Sequence, residues 1–143
     1  YRVTATNSAG QAVADFAVTV NVAPPPPPQP VQITMQPAPT LSTVTINNTT
    51  QTWSPSTVTL SVGAIGTDVR YQWYHRGSKY GSFTPPEMPI AGATGPSHVV
   101  QAVYGNAMSA FCGAYRVVVS NNLNTISSNS VTVRCSAGGN FYQ

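Results

Sequence analysis

The sequence predicts an all-β protein, and three observations support this prediction. Charged residues make up only 6% of the 143 residues, whereas Ser, Thr, Asn, Val, Ala and Pro are abundant. β-Branched residues are common and Glu, Lys and Leu are scarce, which disfavours helices and favours strands. Short alternating runs recur with Gly, Pro and Asn between them, a pattern of sandwiches rather than of βαβ units. The length allows one domain, or one domain with a fragment of another.

Residues 1–22 predict two strands with a turn between them. YRVTAT alternates, NSAG supplies Gly10 for a turn position with positive φ, and AVADFAVTVNV returns. The stretch APPPPPQP follows at 23–30. Because proline fixes φ and lacks an N–H, this stretch predicts an extended polyproline spacer of roughly 20 Å, at about 3.1 Å per residue. The alternative is a docking peptide for a proline-reading domain.

Seven further strand signals follow, at 31–35, 42–46, 56–62, 69–76, 97–103, 114–120 and 128–134. Pro37 and Pro39 are expected to halt the first of them. Residues 56–62 alternate strictly, which places Val58, Leu60 and Val62 on one face.

The run VRYQWYHR at 69–76 has the pattern of a half-buried strand. We expect it to bury Val69, Tyr71 and Trp73, and to leave Arg70, Gln72 and Tyr74 outside. The many Gly and Pro residues from Gly77 to Pro96 predict an irregular connection after this strand.

Four phrases carry a resemblance to a known family: YQWYHRG (71–77), PIAGAT (89–94), GAYRVVVSN (113–121) and SNSVTV (128–133). They resemble immunoglobulin-like modules, of the tandem kind found in large bacterial surface and secreted proteins. The match covers about 105 residues, and the phrases occur in the family's order. The resemblance implies a complete immunoglobulin-like domain over 31–135, with a tail at 136–143.

The resemblance also implies roles for individual residues. Trp73 matches the central core tryptophan, and Tyr115 matches the corner tyrosine, whose hydroxyl bonds to nearby backbone. The family's inter-sheet disulfide falls on Leu60 and Val117, so an aliphatic contact is expected to replace that bridge. Phe111 stands where the family usually has an acid, and the loop before Tyr115 is therefore expected to differ.

The chain repeats part of itself. YRVTATNSAGQ at 1–11 is similar to YRVVVSNNLNT at 115–125, and the match extends over 1–20 and 115–133 with one residue of slippage. Residues 1–22 are therefore expected to be strands F and G of a preceding immunoglobulin-like domain. An isolated hairpin is marginal in water. Two alternatives remain: a window cut from a longer array, or strand donation between the subunits of a filament.

Cys112 and Cys135 predict a disulfide. In an antiparallel hairpin that turns near 122–124 they lie almost equally far from the tip, so the two ends meet. The alternative is two free thiols. Paired cysteines indicate an oxidising setting, and we expect an extracellular or cell-surface location. No metal site or cofactor is expected, because two cysteines need further ligands and neither histidine has a suitable spacing.

Catalysis is not expected. The three acids, Asp15, Asp68 and Glu87, are scattered along the chain, and acid–base chemistry needs two groups close together. His75 and His98 fall on different strands with no Asp or Cys beside them, and no nucleophile or phosphate-binding motif is present. Each histidine is interpreted as a surface or satisfied polar residue.

Arg70, Arg76 and Lys79 cluster around strand 69–76, with Tyr74 and Tyr80 nearby. Basic residues interleaved with aromatics can hold an anionic polymer or stack on sugar rings. The alternative is an exposed strand edge that uses cations to resist aggregation.

These features together predict a non-catalytic structural module in an extracellular array: a spacer, an adhesive stalk or the building block of a fibre. Its partners would be neighbouring immunoglobulin-like domains or identical subunits. The first alternative is a module that binds a surface glycan or a protein receptor, and the second is an accessory domain of a secreted hydrolase. We expect no nucleic-acid partner and no membrane insertion, since the net charge is only +3 and no run of about 18 apolar residues exists.

Overall fold

A computed structural model describes residues 1–39, 43–47, 49–79, 82–106 and 110–138. This described part contains twelve strands and no α-helix, so the all-β prediction is confirmed. The strands are β1 (Arg2–Asn7), β2 (Gly10–Asp15), β3 (Gln32–Pro39), β4 (Thr43–Asn47), β5 (Thr52–Ser54), β6 (Thr57–Ile65), β7 (Arg70–Gly77), β8 (Met88–Pro89), β9 (Ser97–Gln101), β10 (Gly113–Ser120), β11 (Thr125–Ser127) and β12 (Val131–Gly138).

The strands form three sheets. β1 and β2 pair only with each other. A larger sheet has the order β5-β4-β12-β10-β7-β8, with β11 also paired to β10, and a smaller sheet has the order β3-β6-β9. β4 runs parallel to β12, and the other pairings among the described strands are antiparallel.

The larger and the smaller sheet share one core. Alternate residues of β6 and β10 are buried, as expected for strands with one face against another sheet. Buried side chains of both sheets belong to a single hydrophobic cluster. Its centre includes residues with no exposed surface, namely Leu60, Trp73, Val117, Val119 and Val133. This arrangement is a β-sandwich.

The strand predicted at 31–35 is not halted at Pro37, so that part of the expectation is wrong, and it extends to Pro39. β3 continues through Pro37 to Pro39, paired with β6. Its register shifts between Ile33 and Met35, and again between Met35 and Ala38. β3 is an edge strand, and edge positions and bulges accommodate the missing N–H of proline.

The second strand of the N-terminal hairpin is shorter than predicted. β2 ends at Asp15, although the sequence predicted a strand up to Val22. The last backbone bond of the hairpin runs from the N–H of Phe16 to the carbonyl of Tyr1, at 3.0 Å. Residues 17–22 are exposed, and none of the described strands pairs with them.

Three strands were not predicted: β5, β11 and the two-residue β8. β8 pairs with β7 from within the run from Gly77 to Pro96, which was expected to be irregular. β5 carries Trp53, which is buried and meets the Phe111 ring edge-to-face with centroids 5.1 Å apart. β11 is separated from β12 by residues 128–130. The Ser128 hydroxyl accepts the N–H of Val117 at 3.0 Å, and the Ser128 N–H donates to the Val117 carbonyl at 2.9 Å. The register with β10 shifts by one residue here, and this bulge divides the returning arm of the hairpin into β11 and β12.

Candidate functional sites: core tyrosine, disulfide, anchored linker and basic sheet face

The four residues that the resemblance singled out lie in the shared core. Trp73, Leu60 and Val117 have no exposed surface, and Tyr115 is 2% exposed. The indole Nε1–H of Trp73 donates to the carbonyl of Gly95 at 3.0 Å, which satisfies the only polar atom of this side chain.

Tyr115 joins the start of β10 to the segment before it. Its hydroxyl donates to the backbone carbonyl of Phe111 at 2.7 Å. Burial raises the pKa of Tyr115 well above its ordinary value, so the hydroxyl keeps its proton and remains a donor. Phe111 is itself buried, in the loop where the family would place an acid.

His75 and His98 meet at Tyr115. The His75 ring stacks on the Tyr115 ring with centroids 4.3 Å apart, and the His98 centroid lies 6.1 Å from it. Nε2 of His75 is 3.3 Å from the carbonyl oxygen of Cys112. Burial lowers the pKa of both histidines, and the charge of His75 lowers that of His98 further. Because β7 and β9 belong to facing sheets, residues distant in sequence share one environment.

This environment borders an open depression of about 300 Å³ between the sheets, also lined by Ile90, Val100 and Phe111. None of the described residues that line it is a carboxylate. Asp15 and Glu87 form ion pairs with arginines on other surfaces. The histidines are therefore placed by aromatic packing and a backbone carbonyl, without the carboxylate partner that commonly orients a catalytic imidazole.

Cys112 and Cys135 form the predicted disulfide. Their Cα atoms are 5.9 Å apart, within the usual range, and 23 positions separate them. Cys112 directly precedes β10 and Cys135 lies in β12, so the bond fastens the last strand to the centre of the larger sheet. A disulfide of this kind fits an oxidising environment.

The end of the proline-rich linker is bound to the sandwich by side chains of the β10–β11 turn. Oδ1 of Asn124 accepts the N–H of Val31 at 2.7 Å, and Nδ2 of Asn124 donates to the Val31 carbonyl at 3.0 Å. Nδ2 of Asn121 donates to the carbonyls of Gln29 at 2.8 Å and Thr67 at 2.9 Å. Val31 is 1% exposed. We call these contacts the linker anchor.

The β6–β7 loop completes the linker anchor. Oγ1 of Thr67 accepts the N–H of Gln29 at 2.9 Å, and the Thr67 N–H donates to the Gln29 carbonyl at 3.1 Å. Gly66 has a φ of 142°, and a Cβ there would lie 2.9 Å from Cα of Val31 and 3.0 Å from the carbonyl oxygen of Pro30. Only glycine allows this close approach. The sequence analysis placed a turn near 122–124, but it could not show that Asn121 and Asn124 bind the linker, because that contact depends on how the strands are arranged.

The N-terminal hairpin repeats the register of the β10–β11 hairpin with a constant offset of 114. The pairs Thr4–Val13, Ala5–Ala12 and Thr6–Gln11 correspond to Val118–Ser127, Val119–Ile126 and Ser120–Thr125. The turns also agree. Oδ1 of Asn7 accepts the N–H of Ala9 at 2.8 Å, and Oδ1 of Asn121 accepts that of Leu123 at 2.9 Å. The sequence repeat is therefore also a structural repeat.

The two faces of this hairpin differ in polarity. By the strand alternation, one face carries Tyr1, Val3, Ala5, Ala12, Ala14 and Phe16, and the opposite face carries Arg2, Thr4, Thr6, Gln11, Val13 and Asp15. Tyr1 and Phe16 stack with centroids 5.6 Å apart. Val3 is 55% exposed, whereas its counterpart Val117 is fully buried. The hairpin has the one-sided pattern of a core element, but no other described strand pairs with it.

The proposed ligand surface on β7 is partly closed. Arg70, Arg76 and Lys79 are exposed, and Tyr80 lies outside the described residues. Tyr74 points to the same side of the sheet, but the guanidinium of Arg116 lies over its ring, 4.7 Å from the centroid. This face of the Tyr74 ring is therefore not available for stacking on a sugar.

Arg116 was not identified from the sequence. Its Nη2 lies 2.6 Å from Oε2 of Glu87, its Nε donates to Oε1 of Glu87 at 2.9 Å, and its Nη1 donates to the Ser127 hydroxyl at 3.1 Å. The hydrogen bonds to Glu87 raise the pKa of Arg116 further. Glu87 is 29 positions away in an irregular connection, so no local spacing pointed to this pair.

Within the described ranges, no three His, Cys, Asp or Glu side chains gather into a group that could hold a metal ion. The same residues include no helix long and apolar enough to cross a membrane. No protein-family model matches the chain, and no curated protein matches it with significant similarity.

Proposed function

We propose that this chain is a non-catalytic structural module, an immunoglobulin-like sandwich that serves in an extracellular tandem array as a spacer, an adhesive stalk or the building block of a fibre. The observation that carries the proposal is the repeated hairpin. Residues 4–13 reproduce the pairing and turn of residues 118–127, including an Asn at the same place in the turn. A chain that holds two copies of one sandwich hairpin is built from repeated units.

The strand order supports the immunoglobulin-like assignment. A smaller sheet β3-β6-β9 facing a larger sheet β4-β12-β10-β7 corresponds to strands A, B, E and A′, G, F, C of that architecture. The parallel pairing of β4 with β12 and the hydroxyl of Tyr115 bonded to the Phe111 carbonyl agree with the same assignment.

The linker anchor supports a mechanical role. Residues 23–28 are mostly proline and adopt an extended, semi-rigid form. Their C-terminal end continues into Gln29 and Val31, which the two Asn side chains and Thr67 hold against the sandwich. A stiff linker fixed at one end sets the distance and the direction between successive modules.

The disulfide supports a location outside the cell and resistance to tension. It fastens β12 to the residue before β10, so that force applied beyond β12 passes into the centre of the sheet through a covalent bond. Disulfides of this kind persist in oxidising compartments.

The apolar face of the N-terminal hairpin indicates what kind of partner the hairpin needs. Val3 and Ala5 correspond to Val117 and Val119, which the sandwich buries completely. The hairpin therefore needs the remaining strands of an immunoglobulin-like sandwich, from another part of the same array or from a neighbouring subunit.

Light scattering after size exclusion tests this proposal on residues 1–143, beside a chain that begins at Val31. Two matched variants sharpen the test: Val3→Asp places a charge on the apolar face of the hairpin, and Thr4→Asp places the same charge on the polar face. Assembly of the full chain and of Thr4→Asp, with monomers for Val3→Asp and for the shorter chain, would identify the hairpin as the joining element of a fibre.

Monomers in all four cases would support the spacer form of the proposal, in which the hairpin completes a sandwich within the array. Small-angle X-ray scattering of the monomer then tests the spacer form, because it measures the separation between the hairpin and the sandwich. An extended separation of roughly 20 Å between hairpin and sandwich is expected for a polyproline linker. A collapsed or freely varying separation would contradict a spacer, and equal assembly of the shorter chain would contradict joining through the hairpin.

A further inference from the structure

All Lys and Arg residues of the sandwich lie on strands of the larger sheet or just after one of these strands. The chain has six Lys and Arg residues, of which Arg2 belongs to the N-terminal hairpin. The other five are Arg70, Arg76, Lys79, Arg116 and Arg134, on β7, just after it, on β10 and on β12. The strands β3, β6 and β9 of the smaller sheet carry no charged residue. The larger sheet therefore presents a positive outer face.

One end of this outer face contains a depression. Arg76, Ala114 and Thr132 lie side by side in register on β7, β10 and β12. They point outward, because the next residue of β12, Val133, is fully buried. The small side chain of Ala114 leaves an open depression of about 380 Å³ between the other two. Its rim also includes Ser78, Lys79 and Thr84.

The backbone around this depression is closely fitted. Gly113 has a φ of 143°, and a Cβ there would collide with the carbonyl oxygen of Arg76. The N–H of Ser78 donates to the carbonyl of Cys112 at 2.9 Å, and Cys112 is held by the disulfide. The position of the basic residues after β7 is thereby tied to β10 and β12.

The cations around the depression have no acidic partner in the part of the chain that the structure describes. Arg76 and Lys79 line it, and Arg134 follows Thr132 by two positions on the same outer face. Glu87, the acid on this side of the sheet, is already bound by Arg116. Asp68 precedes Arg70 at the opposite end of β7.

We propose that this depression binds the carboxylate or sulfate group of an acidic polysaccharide. Arg76 and Lys79 would contact the anionic group directly, with Arg134 beside it at the edge of the same face. The hydroxyls of Ser78, Thr84 and Thr132 can donate to and accept from sugar hydroxyls. This proposal does not depend on the array function, since a spacer and a glycan-binding module can share one sandwich.

The geometry favours a polysaccharide over a single-stranded nucleic acid. Nucleic-acid grooves combine cations with aromatic side chains on which bases stack. No aromatic side chain is among the described residues that line this depression, and Arg116 covers one face of the nearby Tyr74 ring. The disulfide indicates an oxidising compartment.

The test measures binding of the full chain to heparin and to polygalacturonate by titration calorimetry, with neutral dextran as a control ligand. The variants are Arg76→Gln, Lys79→Gln, Arg134→Gln and the three combined. Arg70 belongs to the basic group expected from the sequence, but it lies at the other end of β7 and does not line the depression. Arg70→Gln is therefore the matched control, because it removes the same charge from an exposed position outside the proposed site. Thermal melting of each variant establishes that it is folded.

We expect each site variant to weaken binding about fivefold and the triple variant to abolish it at physiological salt, while Arg70→Gln stays within about twofold of the native chain. Equal losses for Arg70→Gln and the site variants would mean attraction by net charge alone and would overturn the proposal. Absence of binding to both polysaccharides would overturn it as well. So would tighter binding of a single-stranded oligonucleotide, or of vesicles with anionic lipids, through the same residues.

Discussion

Asn124 binds both backbone groups of Val31, a residue 93 positions earlier in the chain: its Oδ1 accepts the Val31 N–H at 2.7 Å and its Nδ2 donates to the Val31 carbonyl at 3.0 Å. Val31 is 1% exposed, so water cannot easily replace the side chain. The carboxamide therefore gives Val31 the acceptor and the donor that the backbone of a neighbouring strand would otherwise provide, at the point where the linker joins the sandwich.

Asn124→Ala is therefore expected to lower the free energy of unfolding by about 1–3 kcal/mol, because it leaves two buried backbone groups without partners. Urea denaturation measures this change. The matched control is Asn122→Ala, an exposed residue of the same turn, which should change stability by no more than about 0.5 kcal/mol. Equal losses in the two variants would argue against a specific anchor.

The hydroxyl of Tyr115 makes a buried hydrogen bond to the Phe111 carbonyl at 2.7 Å. Tyr115→Phe keeps the ring and its packing on His75 but leaves that carbonyl unsatisfied. We expect a loss of about 1–2 kcal/mol in the free energy of unfolding. Tyr104→Phe, at a position that is 47% exposed, should have almost no effect. If both variants melt at the native temperature, the corner hydrogen bond contributes no net stability.

Removal of the disulfide should destabilise the sandwich. The bond closes a loop with a sequence separation of 23, for which chain entropy gives about 3 kcal/mol. The double variant Cys112→Ser/Cys135→Ser should unfold at a lower urea concentration than the oxidised native chain. A reducing agent should shift the native chain in the same direction and leave the double variant unchanged. The same urea midpoint for oxidised and reduced native chain would contradict a stabilising bond.

Stability should depend on pH through His75 and His98. Burial lowers the pKa of both below the ordinary value of 6.5. Well above pH 6.5 both histidines are neutral in the folded and in the unfolded chain, so they give no pH dependence there. Below that value the unfolded chain binds more protons than the folded one, and stability falls as the pH falls towards the depressed pKa values.

Urea midpoints between pH 7.5 and pH 5 measure this dependence. The groups that face the two rings are the Tyr115 and Trp73 rings and the Cys112 carbonyl, and none of the described residues that line the same depression is a carboxylate. The double variant His75→Gln/His98→Gln should therefore show a smaller slope than the native chain. An unchanged slope in that variant would assign the pH dependence to other groups.

Much of the fold was predictable because it follows from local patterns. Alternation in 56–62 and 114–120 identified the strands whose residues Leu60 and Val117 are buried. The predictions were less accurate where the length or the existence of a strand depends on the residues that pack or pair with it. β3 passes through Pro37 because its outer edge is unpaired, and β5 exists because Trp53 has Phe111 to pack against.

The candidate sites were only partly predictable. The sequence identified Arg70, Arg76 and Lys79 as a basic group, but it did not include Arg116 or Arg134. Arg116 covers Tyr74 because β10 pairs with β7 in a register that places them side by side. Arg134 reaches the same face because β12 pairs with β10. Strand pairing thus brings Arg76, Arg116 and Arg134, which are 18 to 58 positions apart in the chain, onto one face.

The sequence by itself determined the all-β class, the positions of the alternating strands, the repeated hairpin and the cysteine pair, since each depends on residue type and short spacing. Only the tertiary structure decided that Asn121 and Asn124 hold the linker, that the two histidines meet at Tyr115, and that the cations gather on one sheet. These contacts join groups from different strands. Their geometry depends on register and on which sheets face each other, and both are properties of the whole packed sandwich.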